Sequence, residues 1–92
     1  MSMVDVIFTV CCIHETYFCE NYEKLHQAKT NEADFVLKNI LRTKILTLRG
    51  VIKESGFEEQ YKEWRKFNGK KYGWQQSYKP LIRQLLAEWK HG

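Results

Sequence analysis

The sequence predicts a mainly α protein, a small helical bundle of three or four helices forming a single domain over residues 1–92. Three observations carry that prediction. Apolar residues recur at helical spacing through Asn31–Lys53, and again through Phe57–Phe67 and Leu81–Trp89. Turn and capping residues punctuate the spaces between those segments. Pro80, the only proline, falls where the first turn of a last helix would lie, and a missing N–H costs little there.

The N-terminal stretch Val4–Ile13 is β-branched and apolar on both alternating faces, the pattern of a buried strand. Nothing later in the chain offers a strand to pair with it, and a lone strand leaves its backbone groups unpaired. A helix is therefore expected, with a strand as the alternative. His14–Gln27 is a second helical segment. Phe18, Tyr22 and Leu25 share one face, and Glu15, Glu20 and Glu23 lie elsewhere.

Thr30 or Asn31 can cap the long segment, and Glu32 and Asp34 put negative charge in its first turn. Val36, Ile40, Ala33, Val51, Leu37, Leu48, Leu41, Ile52 and Ile45 fall on one half of the cylinder. Lys44 interrupts this apolar face, and Gly50 weakens the helix locally. Ser55-Gly56-Phe57-Glu58 fits a capping box, with Gly56 also suited to close the preceding helix. Phe57, Tyr61, Trp64 and Phe67 then share a face, and Asn68-Gly69 ends that helix. Lys70–Gln76 reads as a loop hinged at Gly73, after which Ser77 can cap the final helix.

Charge is divided unevenly. Met1–Asp34 holds two basic and six acidic residues, whereas Phe35–Gly92 holds thirteen basic and five acidic. Such asymmetry points to an anionic partner for the second part, although solubility alone also explains a mild excess. Two surfaces stand out. The first is a stripe along the long helix, Lys38, Arg42, Arg49 and Lys53, with Phe35 and Leu46 beside it. The second is the turn containing Arg65, Lys66, Lys70, Lys71, Tyr72 and Trp74. Cations among aromatics suit nucleic acid, through phosphates and stacked bases. They equally suit a protein interface, with Trp74 as an anchor, or a core in which Phe67 and Trp74 are buried beside solubilising lysines.

Catalytic and metal chemistry find little footing. Cys12, His14, Cys19 and His26 could ligate zinc by type, but their spacing matches no compact zinc knuckle. Cys12 lies in an apolar run, where a thiol stays protonated. Three cysteines and no leader-like start suggest a reduced, intracellular protein with thiols packed as small hydrophobes. Val4–Ile13 is too short to span a bilayer. A helix-turn-helix reading would put Glu58, Glu59 and Glu63 against phosphates, which opposes it.

In size, basic charge and its aromatic-basic second half, Ser55–Trp89, the chain resembles the small temperate-phage accessory proteins of the anti-RecBCD (Abc) type. That resemblance implies a host-cytoplasmic inhibitor or modulator whose partner is a large host complex, the nuclease that processes DNA ends for recombination. The leading expectation is thus a non-enzymatic protein-interaction module with no cofactor, no metal and no membrane association. The alternatives are a small basic nucleic-acid-binding protein and, further off, a small zinc protein or enzyme.

Overall fold

A computed structural model describes residues 2–26 and 32–91, of which His26 and residues 89–91 are described by backbone only. The helices are α1 (Met3–Glu20), α2 (Tyr22–His26), α3 (Glu32–Glu54), α4 (Glu58–Asn68) and α5 (Lys79–His91). Two 3-10 turns, Gly69–Tyr72 and Gln76–Tyr78, join α4 to α5. No strand occurs among the described residues. The expected caps Thr30 and Asn31, and the Trp89 side chain, lie outside what is described.

Val4–Ile13 is helical, and it is continuous with the segment expected to start at His14. Ser2 caps α1 by accepting from the Asp5 N–H at 3.2 Å. The helix ends at Asn21, whose side-chain amide donates to the Tyr17 carbonyl at 2.9 Å and competes with continuation. The α2 turn then carries Leu25 into the core.

α1 packs along α3, while α4 and α5 close the other side of the pair. The centre is built from Phe8, Cys11, Ile45, Ile52, Tyr61 and Ile82, each almost fully buried. The three thiols are free and buried, packed as apolar groups.

The long helix corrects the expected facing. Leu41, Ile45 and Ile52 are buried, but Val36, Ile40 and Val51 are exposed. Relative to the half-cylinder read from spacing, the buried face is turned by about 70°. That turn moves Lys44 outside, which resolves the interruption, and brings Arg49 inside. α4 is turned in the same sense toward its arginine: Tyr61 and Arg65 are buried, and Phe67, expected on the core face, is 73% exposed.

Several end signals also differ. The Ser55–Glu58 capping box does not form, because α4 begins after Phe57 with no side-chain cap. Gly56, at φ +79°, instead closes α3. Its N–H reaches the Lys53 carbonyl, and the Phe57 N–H reaches that of Ile52, the paired bonds of a Schellman ending. Gly69 keeps right-handed geometry, so it ends α4 for another reason. A Cβ there would lie 2.7 Å from the Cβ of Trp74, so the indole packs where only glycine fits. The Lys70–Gln76 segment is mostly 3-10 turn, with Gly73 at φ +90°. Ser77 lies in the second 3-10 turn and bonds the Gln75 side chain, so it does not cap α5.

Candidate functional site

The turned faces of α3 and α4 converge on one residue. Glu15, placed by spacing off the face of Phe18, Tyr22 and Leu25, is fully buried on the inner face of α1. Its Oε1 accepts from the Tyr61 hydroxyl and from Arg65 Nη1 at 2.9 Å. Its Oε2 lies 3.6 Å from Arg49 Nη1, a charge contact too long for a hydrogen bond. A buried carboxylate requires pairing, so the two guanidiniums are drawn inward at the expense of apolar residues that could have filled the same arc.

Aromatic rings complete the setting. The Arg65 guanidinium stacks 3.9 Å from the Trp74 ring centroid and 5.2 Å from that of Tyr61. Arg49 also lies 5.2 Å from the Tyr61 centroid. Burial, reinforced by the Glu15 charge, raises the pKa of Tyr61 and of the adjacent Cys11. Burial alone would lower that of Arg65, but Glu15 reverses the balance and raises it. The cluster therefore holds an ionic pair beside a protonated phenol and a protonated thiol. The pairing ties α1, α3 and α4 together and fixes how they face one another.

The predicted stripe divides. Arg49 is inside, and half-buried Lys38 lines a small crevice with Leu85 and Glu88 of α5. Arg42 and Leu46 are half-buried on the outer side of α3, with Phe35 and Lys53 exposed. The predicted turn divides as well. Lys66, Lys70 and Lys71 are exposed, Tyr72 is half-buried against Trp64, and Arg65 and Trp74 are core. Trp74 thus presents no anchor at the surface.

Spacing analysis overlooked the outer face of α1. Met3, Val6, Ile13 and Tyr17 are exposed, with half-buried Val10 among them. These five positions step 3-4-3-4, the seam of a coiled coil. The signal was present but hidden, because the polar residues of Val4–Ile13, Asp5 and Thr9, mark a different side of α1 from the seam. Among the described residues, eight of the nine large exposed hydrophobics lie on α1 and α3, the other being Phe67.

As for the candidate zinc ligands, Cys12 and Cys19 are buried, and His14 Nδ1 bonds the Val10 carbonyl at 2.7 Å. The His26 side chain lies outside the described residues. Among the described residues no group of three potential ligands converges, and no helix is long and apolar enough to cross a membrane. No protein-family model, curated protein or solved structure matches the chain.

Proposed function

We propose that this protein is a non-enzymatic interaction module that docks on a larger protein machine through the outer face of α1. The observation that carries this reading is the 3-4-3-4 strip Met3, Val6, Val10, Ile13 and Tyr17, exposed at each position but half-buried Val10. An isolated surface leucine needs no explanation, but a continuous seam with heptad spacing fits a second helix. The occupant is an amphipathic helix of the partner, laying its own apolar face along the strip. The choice of a DNA-processing machine as target, with inhibition or retuning as the outcome, rests on the resemblance to anti-RecBCD proteins and on the basic second half of the chain.

Direct nucleic-acid binding is the second reading. It rests on Phe67, exposed among Lys66, Lys70 and Lys71, with Lys66 Nζ 5.6 Å from its ring centroid. An exposed ring among cations is a platform for a stacked base.

Binding to a purified DNA-end-processing nuclease, compared between wild type, Ile13→Lys with Tyr17→Lys, and Lys66→Glu with Lys70→Glu, separates the two. The module reading expects the α1 pair to lose binding by at least about tenfold, with folding intact within about 0.5 kcal/mol per site. The lysine pair should mainly slow association. Full binding by the α1 pair would refute docking there. Salt-sensitive DNA affinity that is lost with the lysine pair would favour the second reading.

A further inference from the structure

A cleft of about 370 Å³ opens where α3, α4 and α5 meet, and no residue of the α1 strip lines it. Five cations and one carboxylate, Glu58, line it: Arg49 and Arg65 at the buried end, and Lys62, Lys79 and Arg83. The local anions do not balance them. Glu15 is a single carboxylate shared by two guanidiniums. Lys62 is already paired with Glu58 at 3.6 Å and Glu59 at 3.5 Å. Among the described residues, Lys79 and Arg83 form no ion pair. Five cations against Glu15, Glu58 and Glu59 therefore leave a surplus of two positive charges around a partly enclosed space.

At the buried end, Arg49 Nη1 and Glu15 Oε2 are both shielded from solvent and both lack a hydrogen bond, facing each other at 3.6 Å. An unmade hydrogen bond at a buried charged donor costs more than one at the surface, so this loose pair leaves the Arg49 charge incompletely compensated beside the cleft. The partly shielded wall also strengthens each charge contact relative to open water.

We propose that this cleft binds a phosphate monoester. A carboxylate brings one charge and two oxygens. A phosphate monoester brings close to two charges and three acceptor oxygens, which matches several cations converging from different helices. The cleft volume falls within the range of small-molecule sites and exceeds what a bare phosphate fills, so the esterified group has room beside Leu86. The monoester can belong to a free nucleotide or to the phosphorylated 5′ end of a strand, and both present the same chemistry.

The test uses the whole chain, with inorganic phosphate and adenosine monophosphate titrated calorimetrically against chloride at matched ionic strength. Saturable binding of phosphate, with an upward shift in melting temperature that chloride does not reproduce, is the expected result. Lys79→Ala with Arg83→Ala, both at the mouth and outside the core, should weaken binding at least about tenfold, the loss of one charged contact. The charge-preserving pair Lys79→Arg with Arg83→Lys should retain it, and so should Ile13→Lys, which leaves this cleft untouched. A response to phosphate no larger than that to chloride overturns the proposal, as does equal binding by the alanine pair. A 5′-phosphorylated oligonucleotide binding more tightly than its 5′-hydroxyl counterpart and than adenosine monophosphate assigns the ligand to a strand end. Equal affinity for the phosphorylated strand and the mononucleotide assigns it to any small phosphate ester.

Discussion

Glu15 and Ile13 are two residues apart on α1, yet the carboxylate is fully buried and the isoleucine is 44% exposed. The inner face carries a charge held by Tyr61, Arg65 and Arg49, while the outer face carries a partly exposed apolar seam. Hydropathy alone would have placed them the other way round. The contrast teaches that a helix with apolar residues on most sides does not declare its inside by hydropathy. What orients α1 is the one side chain that cannot be left without partners once buried, and α3 and α4 turn their arginines to meet it.

Removing that side chain should produce the largest effect. Glu15→Ala leaves two guanidiniums buried around an empty site, and breaking a buried pair in this way costs about 3–5 kcal/mol. Chemical denaturation should show that loss, against a change within about 0.5 kcal/mol for exposed Glu20→Ala. Comparable midpoints for the two variants would mean that Glu15 is not enclosed.

Leu85→Ala tests the ordinary part of the core. Leu85 is 3% exposed on α5, and truncating a buried leucine costs about 2–5 kcal/mol. Thermal melting should fall accordingly. An unchanged melting temperature would detach α5 from the core and leave the Glu15 cluster open on that side.

A smaller effect comes from the thiols beside the cluster. Burial pushes Cys12 up to about 11 and Cys19 up to about 12, from an ordinary value of 9.0. Raised folded-state values stabilise the fold fully below pH 9 and lose that contribution as pH rises toward 11–12, because the unfolded chain releases its thiol protons first. Unfolding free energy should therefore decline from pH 9 upward, and less steeply in Cys12→Ser with Cys19→Ser after correction for their own stability. Thiol labelling at pH 8 should be slow in the folded protein and should follow unfolding. Rapid labelling of all three cysteines would contradict their burial.

How much of this was legible in the sequence depends on the range of the interaction. The helical class, the closing role of Gly56, the placement of Pro80 and the packing of Leu81–Leu86 follow from local spacing and turn chemistry, and the structure has them. The helical state of Val4–Ile13 followed from the absence of a strand to pair with it. The facing of α3 and α4 did not follow. It is decided by Glu15 meeting Tyr61 and Arg65, residues 46 and 50 positions away, and no window of local periodicity contains that pairing. Trp74 was ambiguous for the same reason. Its neighbours Lys70 and Lys71 read as a binding turn, but Gly69 lets the indole pack inward against Arg65. The α1 seam was readable as a 3-4 repeat, but only once Glu15 had shown which side was inside.

Arg42 and Arg49 belong to one stripe by sequence spacing, yet only Arg49 reaches Glu15. Denaturant unfolding of Arg42→Ala and Arg49→Ala, side by side, therefore tests most directly whether the buried carboxylate sets the facing of the long helix. The expected result is a change within about 0.5 kcal/mol for Arg42→Ala, against a loss of about 3 kcal/mol for Arg49→Ala. Equal, small effects at both positions would return Arg49 to the surface and contradict the account.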